Sequence, residues 1–479
     1  MAQKKARSVP AAGSSSRPRR GRRTTDVVQG TWSSGFVFVL AVTGAAVGLN
    51  SFWQFPYLAA HNGGGIFLLV FLAALILVTV PMLMAETVIG RLAGTLPTAA
   101  IRRLAAQDNC RPAWIGLGLA VTLTGFLVLT YLCVIGSWTW AYAVRAALGI
   151  FDGRTLDGTL SQFFSFSGDP ERQLFWHAAF LLTTGAVVAR GVNRGLEPVI
   201  RYGVPIMLVA VVVLAVYGLS AGDASQAVSS LIDFQPNLFD YRSISVAIAE
   251  AVFCAGIGVG VVWAYGSYLK PGVSIAGTSL AISGFIAAVA VLVSLFVIAV
   301  LSATGQKPVP GPTLLFQALP YALVRLTGGG VAAILMYLTL GAATWFSAIA
   351  LVEAPIGWLR DRFGIHQSRA TVLVLLVAWI VGVIVILSFN FWAFPFRFFG
   401  AEKRLGVFDI LQLLTANLLI PLGLLLVSLY AGWGINQAAI RNELDLRWPL
   451  SFRAWLYLSR AVVPLLLFVL LFLLPGMFR

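Results

Sequence analysis

The sequence predicts an all-α polytopic membrane protein, and three observations carry that expectation. Of 479 residues, 59% are hydrophobic and only 11% are charged, whereas soluble domains carry charge on roughly a quarter of their residues. Apolar runs of about 20 residues, long enough for a helix to cross roughly 30 Å of hydrocarbon, recur along almost the whole chain. These runs are continuous rather than alternating in polarity, which excludes an outer-membrane barrel. Backbone groups in lipid must find partners within their own segment, so each run is a helix.

Residues 1–30 form the first element, a basic tail rich in Ser, Gly, Pro and Arg, with Arg17, Arg19, Arg20, Arg22 and Arg23 close together. With no apolar stretch to bury, it is expected to be disordered. The apolar run that follows is too long for a signal peptide and shows no small-residue cleavage site, so it reads as the first span. Eleven spans are expected near residues 33–53, 66–86, 113–147, 174–189, 199–219, 244–269, 274–302, 331–359, 370–389, 408–432 and 453–475. With the N-terminus in the cytoplasm, and with Arg201 and Arg453 at span ends counted with their loops, 22 Lys and Arg fall in cytoplasmic segments against 9 outside. The positive-inside rule then places the N-terminus inside and the C-terminus outside a cell (inner) membrane.

Two spans carry clustered glycines in their middles. Span 1 reads Gly44-Ala45-Ala46-Val47-Gly48-Leu49-Asn50-Ser51, and span 6 reads Phe253-Cys254-Ala255-Gly256-Ile257-Gly258-Val259-Gly260. Each begins a group of five spans, residues 31–219 and residues 244–432, and an odd number of spans per group makes the two groups opposite in topology. Interrupted helices at matching places in two inverted halves mark a binding site near the bilayer midplane. The N–H groups that open a half-helix suit a carboxylate, and freed carbonyls suit a cation. Residues 433–479 add a cytoplasmic loop and an eleventh span.

From Trp32 to the end of span 10 the chain resembles the neurotransmitter:sodium symporter family, in the eleven-span form of its bacterial amino-acid transporters. The first block of resemblance comprises Trp32, Gly44 to Leu49, Phe55-Pro56-Tyr57, Asn62-Gly63-Gly64-Gly65, Glu86 and Gly90-Arg91. Further blocks follow in order: Tyr265-Gly266-Ser267-Tyr268-Leu269, Gly311-Pro312, Leu319-Pro320, Asp361-Arg362-Phe363-Gly364, Phe408-Asp409 and Leu414-Thr415-Ala416-Asn417. The resemblance implies a ten-helix inverted-repeat (5+5) transporter core with broken helices 1 and 6, plus the eleventh span. It also implies sodium-coupled import of an amino acid or related small amine by alternating access.

Residue by residue, the resemblance assigns Ala46, Val47, Leu49 and Asn50 of helix 1 and Phe253, Cys254 and Gly256 of helix 6 to the substrate's polar end. Val259, Ser347 and Leu351 line its side-chain pocket, with Phe253 as an aromatic lid. The family's substrate-binding tyrosine falls at Leu132, with Tyr131 beside it. A first sodium site would involve Ala46, Ser51 and Cys254, with Ile286 at the helix 7 position. A second would use carbonyls of Gly44, Val47 and Ala343 and the hydroxyl of Ser347. Thiol and alkyl groups are poor ligands for a hard cation, so the first site reads as eroded. Phe346 stands where the second site's other hydroxyl is usual, which weakens that site.

The gates depart as well. The outer pair becomes Gln54 and Gln412, two amides that can still bond one another. On the inner side Tyr268 and Asp361 remain, while the usual arginine position is Gln29, leaving Arg22 or Arg23 as substitutes. Two embedded carboxylates need a reason, because charge in the bilayer centre costs at least about 2.5 kcal/mol. Glu86 is expected to bond the unwound backbone. Glu250 replaces a glutamine beside the place where the family holds chloride or a helix 7 glutamate, here Ala290, and is expected to carry that negative charge and to take up a proton. Sodium-independent or proton-linked transport, and a non-transporting sensor on the same fold, stay open.

Other classes are excluded. No nucleophile, base and orienting group come together and no phosphate loop appears, so an enzyme is not expected. His61, His177 and His366 sit in or beside different loops without metal-ligand spacing, and read as loop or interface residues. Cys110, Cys133 and Cys254 offer no disulfide or metal framework. The net charge of +15 is spread over a tail and short loops, which suits topology rather than nucleic acid. The implied partners are a small-molecule substrate and the lipid bilayer; sodium is the implied ion, no organic cofactor is implied, and the oligomeric state is left open.

Overall fold

The structure is a computed structural model that describes residues 30–107, 112–389, 394–398, 401–446 and 449–477. The expected tail, with Gln29, Arg22 and Arg23, and Cys110 lie outside the described residues. Each of the eleven predicted segments is helical. Among the described residues, eight unbroken apolar helices are long enough to cross a membrane: Gly65–Ala93, Ile115–Ala147, Val192–Ala221, Ile275–Ser302, Gly329–Phe363, Gln367–Ser388, Val407–Gly434 and Pro449–Phe472, which are spans 2, 3, 5 and 7 to 11. Span 1 is a bent pair, helix 1a (Gly35–Ala46) and helix 1b (Leu49–His61), meeting at 65°. Span 4 is Pro170–Val188, whose first turns hold Glu171, Arg172 and Gln173. Span 6 is also a pair, helix 6a (Tyr241–Phe253) and helix 6b (Val261–Gly266), separated by an extended break.

Local sequence explains these breaks. Val47 and Gly48 are extended, with ψ values of 96° and −157°, so helix 1a stops and 1b restarts one residue later. In span 6, Gly256, Gly258 and Gly260 have φ of 60°, 79° and 79°, a left-handed region that side chains rarely enter. The alternate glycines therefore hold open a break that no other residue type would tolerate.

Helix ends are tied to neighbours. Asp240 caps 6a by accepting the Ser243 N–H at 2.8 Å, and that bond holds its carboxyl below the usual range. The Ser243 hydroxyl then donates to Asn62 Oδ1 at 3.0 Å, joining the entry of 6a to the Asn62-Gly63-Gly64 turn. Trp32 is fully buried and donates from its indole to the Tyr265 carbonyl and from its backbone to the Tyr268 carbonyl, both at 3.0 Å. Span 2 lies against 6b; an added Cβ at Gly90 would strike the Trp263 carbonyl and one at Gly266 the Thr87 backbone. Spans 3 and 8, the longest helices, pack along one another through the middle of the molecule.

Two features differ from expectation. Strands Phe394–Phe398 and Ala401–Leu405 pair as an antiparallel hairpin between spans 9 and 10, with Phe394 opposite Leu405. His177 takes the interface reading: span 4 starts at Pro170 under the Asp169 cap, and His177 lies within the helix, fully buried, its ring against Gly382 of span 9. The segment between spans 10 and 11 forms a short helix, Gln437–Leu444, rather than plain loop.

That short helix is clasped by Arg91. The Arg91 guanidinium pairs with the Glu443 carboxylate and donates to the Glu443 carbonyl at 2.5 Å and the Val273 carbonyl at 2.6 Å. Span 2, the segment after 6b and the segment before span 11 thus share one planar fork. Arg91→Ala is expected to cost about 2 kcal/mol through the orphaned acceptors. Arg91→Lys should recover little of it, because one ammonium cannot reproduce the fork. Thermal midpoints of the purified variants check this; equal midpoints for wild type and Arg91→Ala would refute it.

Candidate functional site

The two breaks meet at a cavity of about 90 Å³. Helix 1 lines it with Ala46, Leu49 and Asn50, and the helix 6 break with Phe253, Gly256 and Val259. Spans 3 and 8 contribute Leu132, Ser347 and Leu351. Nine of the eleven substrate-site residues expected from the sequence therefore border it. The other two, Val47 and Cys254, do not border it and are buried, with 1% exposure each. Sequence reasoning missed Trp53, Val128 and Ile420 as wall residues. No local signal distinguishes those three from ordinary span residues.

Span 3 presents Tyr131 and Leu132 together to the cavity. The Tyr131 hydroxyl lies 3.2 Å from Thr415 Oγ1 of span 10. A hydroxyl is thus available at the wall one residue before the expected position, and it ties span 3 to span 10.

At the second expected ion position, Ser347 Oγ lies 2.8 Å from the Ala45 carbonyl and 3.1 Å from the Ala343 carbonyl. The helix 8 hydroxyl is therefore seated on the end of helix 1a, and an added Cβ at Gly48 would meet it at 3.1 Å. Phe346 brings no oxygen to that position. Its ring lies over Gly203 of span 5, where any Cβ would clash, and only its Cβ approaches Gly44. Thr344 does not replace the missing hydroxyl, because it bonds the Leu340 and Gly341 carbonyls of its own helix at 3.0 Å each.

At the first expected ion position, Asn50 Nδ2 donates to Glu250 Oε1 at 2.6 Å and approaches Cys254 Sγ at 3.3 Å. The Cys254 thiol donates to the same Glu250 oxygen at 3.2 Å, and Ser51 lies beside that thiol. Ile286 and Ala290 of span 7 are both buried.

Glu86 does what was expected of it. Fully buried in span 2, it accepts the Gly258 N–H at 2.7 Å and so anchors the break of span 6.

The outer gate needs a correction. Among the described residues no hydrogen bond joins Gln54 to Gln412; Gln412 borders the cavity and Gln54 does not, so the two amides are not paired in this conformation. At the opposite end the Tyr268 hydroxyl donates to Glu353 of span 8, at 2.8 Å. Asp361 is exposed at the end of that span. Glu353 went unnoticed in the sequence, although an acid with 2% exposure in a 35-residue apolar helix carries the same signal as Glu250. Tyr268, Glu353, Arg360 and Gln367 border a second cavity of about 30 Å³, with Arg360 Nη1 donating to Gln367 Oε1 at 2.7 Å.

Two helices interrupted at facing points, a small apolar chamber between them and hydrogen-bonded closures toward both ends define a secondary transporter. The chain belongs to the sodium:neurotransmitter symporter family, which matches residues 29–149 and 156–415. It is 30% identical over 446 residues to the sodium-dependent transporter YhdH of Bacillus subtilis, covering 91% of this chain and 96% of that one. A sodium-dependent transporter of Haemophilus influenzae is 27% identical, with 92% and 96% covered. The crystal structure of MhsT in complex with L-phenylalanine superposes with a TM-score of 0.84 at 29% identity, covering 93% of this chain and all of that one. This protein is a sodium-coupled secondary transporter of the all-α, broken-helix fold, not an enzyme, and sodium is its coupling ion.

Proposed function

We propose that the protein imports an amino acid with an apolar side chain together with sodium across the cell membrane, with its N-terminus in the cytoplasm and its C-terminus outside. The observation that carries this reading is the chamber at the junction of the two breaks. Its polar end is the start of helix 1b, where Gly48 provides no side-chain cap and the first N–H groups are left for a carboxylate. Carbonyls at the end of 1a and in the helix 6 break receive the amine. The walls opposite are Val128, Leu132, Val259, Leu351 and Ile420, which reward burial of apolar surface at about 25 cal/mol per Å². The phenylalanine bound to MhsT supports the same class of ligand.

Alternation follows from the bonds that cross the molecule. Inward opening separates Tyr268, just after 6b, from Glu353 on span 8, and outward opening separates span 10 from span 3 at Thr415 and Tyr131. The first five spans, residues 31–219, and the second five, residues 244–432, serve as the two inverted repeats whose elements rock about the fixed chamber. Glu250 supplies the negative charge beside the site and takes up a proton during the cycle, so chloride is dispensable.

The test is thermal stabilisation of the purified protein by a panel of amino acids and amines, in sodium chloride, potassium chloride and sodium gluconate at equal ionic strength. Apolar amino acids are expected to stabilise in both sodium salts and to lose at least tenfold in affinity in potassium. Equal stabilisation by the corresponding decarboxylated amine, or indifference to sodium, would overturn the reading.

A further inference from the structure

Glu250 lies in helix 6a with 4% exposure, and among the described residues no Lys, Arg or His is hydrogen-bonded or ion-paired to it. Its neighbours are the Asn50 amide, the Cys254 thiol and, beside the thiol, Ser51. A carboxylate taken out of water costs several kcal/mol unless a counter-charge is supplied, and the protein supplies none there. The end of helix 1a lies close by. Of its last carbonyls, Thr43 takes the Val47 N–H and Ala45 lies against the Ser347 hydroxyl, which leaves Ala46, on the wall of the chamber, without the next turn of helix to bond it.

We propose that Glu250 is a direct oxygen ligand of a sodium ion held between helix 6a and the break of helix 1, and that it replaces the oxygens missing at Cys254 and Ile286. The donor set is hard throughout: the Glu250 carboxylate, the Asn50 amide oxygen, the Ser51 hydroxyl and the Ala46 carbonyl. Hard oxygen donors are what a small alkali cation selects. The Asn50 amide now turns its nitrogen toward Glu250, 2.6 Å away; a half-turn about its last torsion presents Oδ1 to an ion at the same place. Spacing accounts for the substitution. Glu250 and Cys254 are one helical turn apart on 6a and face the same spot, so an acid at the first position reaches what the thiol at the second cannot hold.

A consequence separates this site from one completed by the substrate. The ion meets a full negative charge belonging to the protein, so sodium binds here before substrate and without it. Behind Asn50, the cation in turn fixes the amide that borders the chamber.

This inference deepens the sodium-coupled reading and depends on it. The experiment is a sodium titration of the thermal midpoint of the full chain without substrate, with choline replacing sodium at constant ionic strength. Wild type is compared with Glu250→Gln, Glu250→Asp and Cys254→Thr. The expected results are saturable stabilisation of wild type, a sodium midpoint raised at least tenfold by Glu250→Gln and severalfold by Glu250→Asp, and one lowered at least threefold by Cys254→Thr, which adds an oxygen. A wild-type sodium midpoint in Glu250→Gln overturns the ligand role while leaving sodium coupling intact. If Glu250→Gln does not fold, unchanged midpoints in the other two variants overturn the role equally. Absence of any sodium effect in wild type, together with uptake indifferent to a sodium gradient, overturns both the inference and the reading beneath it.

Discussion

Replacing Glu86 by alanine is expected to remove the folded transporter almost completely, whereas replacement by glutamine is expected to leave it folded. Glu86 is fully buried in the middle of span 2 and accepts the N–H of Gly258 at 2.7 Å. Gly258 lies in the left-handed region at the centre of the helix 6 break, where no preceding turn offers a carbonyl. An orphaned donor costs about 1 to 3 kcal/mol in a protein interior, and within a bilayer no water replaces the lost partner. The break also contacts span 10, since an added Cβ at Gly258 would lie 2.9 Å from the Ile420 carbonyl. A disordered break therefore loosens the chamber from two sides. Glutamine keeps an acceptor oxygen of the same reach. The measurement is the yield of monodisperse protein and its thermal midpoint: less than about a tenth of wild-type yield for Glu86→Ala, near wild-type yield for Glu86→Gln. A monodisperse Glu86→Ala protein with an unshifted midpoint would show that the break holds itself.

How far the site could be read in advance depended on whether its information was local. The breaks at Val47-Gly48 and Gly256 to Gly260 were legible because glycine clusters inside apolar runs are a backbone signal, and the chamber forms where those two signals meet. Glu86 and Glu250 were legible because an acid in a membrane span demands a partner. Glu353 carries the same demand, eight residues before Asp361 in span 8. What could not be read depended on side-chain direction. The direction of the Phe346 ring, over Gly203 of span 5, has no signal in residue type. The amides at Gln54 and Gln412 looked like a pair, but their separation is a property of the conformation rather than of residue type. The hairpin at residues 394–398 and 401–405 escaped because its strands are only five residues each and lie between helices, a length at which apolar patterning says little.

The largest functional effect is expected at Val259, where phenylalanine should narrow the transporter to small substrates. Val259 is 5% exposed, borders the chamber and directly precedes Gly260, which opens helix 6b. Its carbonyl is locked against Gly125 of span 3, where an added Cβ would clash with it, so the backbone cannot retreat to make room. A ring introduced here must occupy the cavity of about 90 Å³, displacing the apolar end of the substrate rather than the polar end held at Asn50. Each methylene of misfit in a hydrophobic pocket is worth about 1 to 3 kcal/mol. Affinity for a large apolar amino acid should therefore fall at least about a hundredfold, while glycine and alanine are retained or gain. Leu351→Ala, which widens the same wall from span 8, should move the preference the other way. Competition binding of a size series of amino acids in saturating sodium measures both variants. A parallel loss across the whole series in Val259→Phe would mean that the ring had disturbed the helix 6 break itself, and that Val259 does not set the size of the side chain the chamber accepts.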